Sequence, residues 1–272
     1  GPEWGALAHE LGGDKVSVYM ATTALQDSHR IEARPSLIAR IRSADLLICS
    51  GSELEIGCIP LLLTQSGDPR IELGSPGYFE ASQYVVKLEI PKIIDRALGD
   101  IHPGGNPHVH TDPRNIGKIA TVLMERMTRL DSLNAESYRL RGKSFLDRWQ
   151  AATARWEQQA APLKNVPVVV YHKDFSYFIN WTGMREAGSL EPKPGIPPTP
   201  AHLAELIDQM KRAPAKVIIY SPYSNPQAAE FLSSRTSIPA VMMPFTVGGT
   251  DKARDLFGLF DDTIARLLGA LK

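Results

Sequence analysis

Three of the seven histidines in the chain sit at the mouths of strand-like runs: His29, His108 and His172. A neutral imidazole offers an in-plane lone pair that suits zinc and other borderline divalent metals. His29 lies in the polar stretch Thr22 to Pro35, which follows the alternating run Val16 to Met20, and His172 directly follows the apolar run Val166 to Tyr171. His108 stands in Asn106-Pro107-His108-Val109-His110-Thr111-Asp112-Pro113-Arg114-Asn115, a proline-punctuated loop that leads into a helix. In open α/β sheets, ligands bind just beyond the carboxyl ends of the strands. One histidine in such a place is ordinarily a surface or core residue. Three at equivalent places point to a shared metal site.

The remaining polar residues around these loops sort by position. His110 forms a His-x-His pair with His108, and on an extended segment the two rings would point the same way. It reads as a residue flanking the site, with a fourth ligand as the alternative. His102, in Asp100-Ile101-His102-Pro103, reads as a supporting group or a transient ligand, and His9 and His202 as helix-surface residues. The nearby carboxylates are Asp27, Glu32, Asp112, Asp174 and Glu191. Asp112 precedes Pro113 at a helix entrance, so it reads as an N-cap. Glu32 and Asp174 read as acceptors that orient a ligand histidine.

Elements that would hold these residues follow from periodicity. A short helix over Pro2 to Leu11 stops at Gly12-Gly13. Val16 to Met20 alternates as a strand, Ser36 caps a helix over Leu37 to Arg42, Asp45 to Cys49 is a buried strand, and Glu53 to Gln65 is helical. Residues 67 to 107 are broken by glycine and proline into turns. Arg114 to Leu130 is a helix. Asn134 opens a helical run to about Ala161 with the apolar stripe Tyr138, Phe145, Trp149, Ala152 and Trp156, some 40 Å long at about 1.5 Å per residue. The rhythm then restarts: a strand over Val166 to Tyr171, helices over Phe175 to Trp181 and from Thr199-Pro200 to Arg212, a strand over Lys216 to Tyr220, a helix over Pro226 to Ser234, a strand over Ala240 to Met243, and a helix over Ala253 to Leu271. This alternation argues for α/β lobes of parallel sheet flanked by helices, divided into residues 1–133, a linking spine helix over 134–163, and residues 164–272.

Composition narrows the function classes. Thirty basic residues balance thirty acidic ones, which leaves no global attraction for nucleic acid or anionic lipid. No apolar run reaches the ~18 residues of a membrane-spanning helix, and the Gly1-Pro2 start carries no signal segment. Cys49 and Cys58 are too few for a zinc site and read as buried apolar residues, with a disulfide as the alternative.

These motifs resemble the metal-binding solute-binding proteins of bacterial ABC transporters, the zinc and manganese receptors of the cluster A-I type. The resemblance covers nearly the whole chain. It rests on His29 with Glu32, Pro35 and Ser36; on Ala44 to Ile48 with Gly51 and Glu55; on Asn106-Pro107-His108 with Asp112, Pro113 and Asn115; and on Tyr171-His172 with Tyr177-Phe178. It implies two lobes on one rigid helix, modest movement on binding, and His29, His108 and His172 as ligands. It also implies a periplasmic or lipid-anchored monomer that passes its ion to a cognate permease.

Two departures concern the fourth ligand. Relatives often supply a carboxylate from the last lobe, but the matching stretch Met243-Pro244-Phe245-Thr246-Val247-Gly248-Gly249 has none, and the residue before His29 is Ser28 rather than the Glu of some zinc receptors. Water, His110 or a carboxylate such as Glu191 is left for that position. The long His/Asp-rich loop of zinc receptors is missing, and the family's first strand would precede Pro2. Imidazoles without a carboxylate favour Zn(II) over Mn(II), which prefers oxygen. The rival classes are a three-histidine zinc hydrolase or lyase, and a metal-linked adhesin. The hydrolase lacks a clear general base and any His-Glu-x-x-His helix.

Overall fold

The computed structural model describes residues 1–95, 97 and 99–272. Positions 96 and 98 of the turn-rich stretch 67–107 lie outside the described residues. The first half contributes α1 (Pro2–Gly12), α2 (Pro35–Ile41), β1 (Leu47–Cys49), α3 (Ile59–Ser66), β2 (Tyr78–Glu80) and α4 (Pro113–Leu130). The long helix α5 spans Ala135–Ala160. After it come β3 (Pro167–Val170), α6 (Ser176–Thr182), β4 (Arg185–Ser189), α7 (Pro200–Arg212), β5 (Val217–Tyr220), α8 (Gln227–Thr236), β6 (Ala240–Met242) and α9 (Leu256–Ala270). Strands β1 and β2 pair in parallel, and the second sheet runs β4-β3-β5-β6, also parallel throughout.

The second sheet is covered on both faces, and its strands show why. Val168, Val170, Val217 and Ile219 enter one core, while Val169 and Ile218 enter another beneath α7 and α8. Alternate residues of a strand face opposite ways, so a strand buried on both sides reads as a continuous apolar run. Helix caps fix the element starts: Asp112 accepts from the Arg114 N–H, Thr199 from the His202 N–H and Asp255 from the Gly258 N–H.

The buried residues of α5 are Ala135, Tyr138, Gly142, Phe145, Trp149, Ala152, Trp156 and Ala160, spaced alternately three and four almost throughout. That spacing keeps a single stripe turned inward over the whole helix. The stripe packs against α1, α4 and α9. One apolar core therefore runs from Trp4 and Phe79 in the first half, along α5, to Val170 and Phe260 in the second. Trp149 lies at its middle, against Phe145, Trp156, Phe257 and Phe260, and its indole N–H donates to the Pro113 carbonyl at 2.7 Å.

The structure departs from the sequence reading at several elements. Val16 to Met20 forms no strand among the described residues. The helix expected over Glu53 to Gln65 begins only at Ile59: residues 52–58 form turns, and Ser52 and Glu53 take a positive φ that a right-handed helix does not admit. Ser36 is not a cap: Arg34 holds that position without a side-chain bond, and Pro35 opens α2 with its preset φ. Strands β2 and β4 were not foreseen. β2 is three residues long, and β4 is a polar edge strand, Arg-Glu-Ala-Gly-Ser, with no apolar alternation to reveal it. Cys49 and Cys58 are buried and free. No helix among the described residues is long and apolar enough to cross a membrane.

Trp149→Phe keeps an aromatic ring in the stripe and removes the indole N–H bond to the Pro113 carbonyl, so it is expected to cost about 1 kcal/mol. Trp149→Ala also opens a cavity and is expected to cost about 3–5 kcal/mol in chemical denaturation.

Candidate metal centre

Each of the three histidines is held by a different local device. His29 sits in a single 3₁₀ turn, Ser28–Arg30, whose cap is Asp27. One oxygen of Asp27 accepts both the His29 main-chain N–H at 2.9 Å and its ring Nδ1 at 2.8 Å. A carboxylate on Nδ1 holds the proton there and leaves the Nε2 lone pair facing outward. His172 lies two residues past the end of β3, and its Nδ1 donates to Glu191 Oε2 at 2.7 Å. Glu191 stands just beyond β4, and the Gly195 N–H donates to the same oxygen at 2.8 Å. Parallel pairing of β3 with β4 thus brings His172 and Glu191 side by side.

His108 is set by its loop. Its N–H donates to Asn106 Oδ1 at 2.9 Å, and Thr111 donates to its carbonyl at 3.0 Å. Asn106 is a junction between the halves. Its amide donates to Glu89 and to the Lys173 carbonyl, each at 2.8 Å, and its carbonyl accepts from the Tyr177 hydroxyl at 2.7 Å. The His108 side chain is 1% exposed, yet neither ring nitrogen has a hydrogen-bond partner. Asp174 Oδ1 stands 3.7 Å from His108 Nε2. Asp174 is itself fixed by the Tyr223 hydroxyl at 2.5 Å and by the Ser221 hydroxyl.

The three rings converge. Ring centroids are 5.2 Å apart for His29 and His108, 5.2 Å for His29 and His172, and 5.7 Å for His108 and His172. One ligand nitrogen from each lies within 4.8 Å of the others, with His108 and His172 buried. A cleft of about 270 Å³ opens beside His102, His108 and His172. The Phe245 ring closes one side, edge-on to His108 at 5.2 Å.

Charge is arranged around the trio. Burial, then the neighbouring imidazoles, hold His108 well below the ordinary histidine range, so one ring nitrogen keeps an available lone pair. Burial alone would lower His172 too, but the bond to Glu191 and the charges of Asp174, Glu191 and Asp27 outweigh it and raise it to about 9. Each histidine has its own carboxylate: Asp27 for His29, Asp174 for His108 and Glu191 for His172.

The other expected site residues divide. Asp174 stands beside His108 as an acceptor should, whereas Glu32 is exposed and touches no ligand histidine. His110 turns away from the trio, because residues 109–111 form a 3₁₀ turn rather than an extended segment, and its Nε2 bonds the Phe245 carbonyl at 3.0 Å. His102 does come to the cluster, 3.2 Å from His29. His202 bonds the Ser189 carbonyl at 2.8 Å. The roles of Asp27 and Glu191 in orienting rings were missed. Asp27 is legible in its two-residue spacing from His29, but Glu191 only through the unforeseen β4.

Parallel α/β lobes, with His29 and His108 drawn from before α5 and His172 from after it, define a solute-binding protein fold. The family model described as zinc-uptake complex component A, periplasmic, matches residues 2–270, and the chain belongs to this family. It is 27% identical over 120 residues to the high-affinity zinc uptake system protein ZnuA of Brucella abortus. That match covers 44% of this chain and 36% of the relative, so it spans only about a third of that protein's length. To the protein of the same name from Paracoccus denitrificans it is 22% identical, over 99% of this chain and 90% of the relative. A crystal structure of ZnuA superposes with a TM-score of 0.79 at 18% identity, covering 97% of this chain and 96% of that one.

Glu191→Ala removes the acceptor that orients His172. It is expected to weaken binding of a divalent metal roughly tenfold to a hundredfold, read by chelator competition, with the far-ultraviolet circular dichroism unchanged.

Proposed function

We propose that this protein is an extracytoplasmic receptor that captures a divalent transition metal, foremost Zn(II), and delivers it to the permease of an ABC importer. His29, His108 and His172 are the ligands. The metal lies between a first lobe, residues 1–133, and a second, residues 164–272, with the spine 134–163 between them. The observation that carries this reading is His108: a fully buried ring with both nitrogens unpartnered, facing two other imidazoles whose Nδ1 protons are tied to carboxylates. A buried polar group without a partner is costly, and a bound cation removes that cost.

Membership in a periplasmic zinc-uptake family and the donor chemistry favour zinc together. Imidazole nitrogen suits zinc in four-coordinate geometry, whereas manganese prefers oxygen. Three carboxylates behind three imidazoles offset the charge of a dication and raise ligand basicity. The same carboxylates argue against turnover. A hydrolytic zinc site needs a base free to take a proton from the bound water, and Asp27, Asp174 and Glu191 are each already engaged. The protein acts as a monomer, and its one task toward the ion is reversible coordination.

Titration of chelator-stripped protein with zinc by calorimetry is expected to show one tight site. His29→Ala, His108→Ala and His172→Ala should each weaken it about tenfold or more. Binding that is weak in the wild type, or indifferent to all three substitutions, would overturn the assignment.

A further inference from the structure

The trio accounts for three corners of a tetrahedron, and each nearby carboxylate is already engaged in hydrogen bonds. Both oxygens of Asp174 are held by Ser221 and Tyr223. Asp27 and Glu191 are bonded to the rings they orient. On the remaining flank Phe245 presents carbon.

His102 brings a nitrogen to the trio through His29. Its Nε2 lies 3.2 Å from His29 Nε2, and the two ring centroids are 5.2 Å apart, the same separation His29 keeps from His108 and from His172. His29 carries its proton on Nδ1, toward Asp27, so its Nε2 is a bare lone pair. His102 Nε2 stands within hydrogen-bond distance of that lone pair. Two nitrogens bound to one zinc at about 2.0–2.1 Å in tetrahedral geometry stand roughly 3.3 Å apart. The His29–His102 separation is therefore already that of one edge of such a site.

The loop that carries His102 is fastened on both sides. The Asp100 N–H donates to the Pro194 carbonyl at 2.8 Å, Lys193 donates to the Ala97 carbonyl at 2.8 Å, and the Gly105 N–H returns to the His102 carbonyl at 2.9 Å. Gly99 makes the first contact possible. It has φ +95°, and a Cβ there would meet the Pro194 oxygen at 2.2 Å.

We infer that His102 is the fourth metal ligand, so that the loaded site is a tetrahedron of four imidazoles in which the His29–His102 edge is set before the ion arrives. This rests on the receptor reading above. His102 joins the trio through His29 and closes on the ion while keeping that edge. Coordination requires the His102 tautomer with its proton on Nδ1 and its Nε2 lone pair on the metal. An all-nitrogen shell disfavours manganese more strongly than three imidazoles and a water would.

X-ray absorption on the zinc-loaded wild-type protein counts the imidazoles directly. Four in the wild type, and three plus one oxygen in His102→Ala, is the expected result, with zinc affinity falling roughly tenfold to a hundredfold in the variant. Cobalt substitution should show the same change as a shift in the visible ligand-field bands. Three imidazoles and an oxygen in the wild type overturn the inference, whatever the variant's affinity or folding. If the wild type binds no single zinc ion tightly, or His108→Ala binds it as well as the wild type, the receptor reading itself falls and this inference with it.

Discussion

The structure depends on one energetic constraint: imidazole nitrogens held out of water without a hydrogen-bond partner. Removing a polar group from water without a partner costs several kcal/mol on apolar transfer scales, of order 2–7 kcal/mol. His108 carries two such nitrogens. A site of this kind stays open only if everything else near it is already satisfied, so that no neighbouring donor collapses inward. Asn106 is the clearest instance. Its side chain bonds Glu89, Lys173 and Ser176 and takes the His108 N–H, and its carbonyl receives Tyr177. With all its valences used, it holds the loop in place and offers nothing to the ring beside it.

Electrostatics reinforce the same arrangement. A cluster of rings in a dry place resists protonation, since each added charge repels the next, and burial and that repulsion keep His108 neutral. The carboxylates work in the opposite sense at His172, which therefore holds a proton more firmly in the metal-free state. Selection for an ion follows from donor type and geometry more than from raw affinity, because copper and nickel also favour imidazole.

Much of this was legible in the residues. His29, His108 and His172 stand out because imidazoles at loop mouths are few, and the spine was readable because Tyr138 to Trp156 repeats at helical spacing. Asp112 announced itself as a cap ahead of Pro113. What escaped lacked a local signal. β4 is polar and lies at a sheet edge, so neither apolar alternation nor a buried run marks it, and with it went the pairing that seats Glu191 against His172. The start of α3 was misplaced because a left-handed backbone at Ser52 and Glu53 is set by tertiary context, not by residue type. The orientation of His110 followed the same pattern: a tight turn replaced an extended segment and swung the ring toward Phe245.

The apolar stripe of α5 has a mechanical consequence. A helix of 26 residues, about 39 Å long at 1.5 Å per residue, is gripped along its inner side by α1, α4 and α9. Bending it anywhere would unseat several large aromatic rings together, so it serves as a strut and not a hinge. Movement in such a molecule falls to its thin parts: the short strap over residues 99–105 and the hydrogen bonds radiating from Asn106. Those are polar contacts that water can replace singly, so they can yield while the two ends of the strut stay where they are.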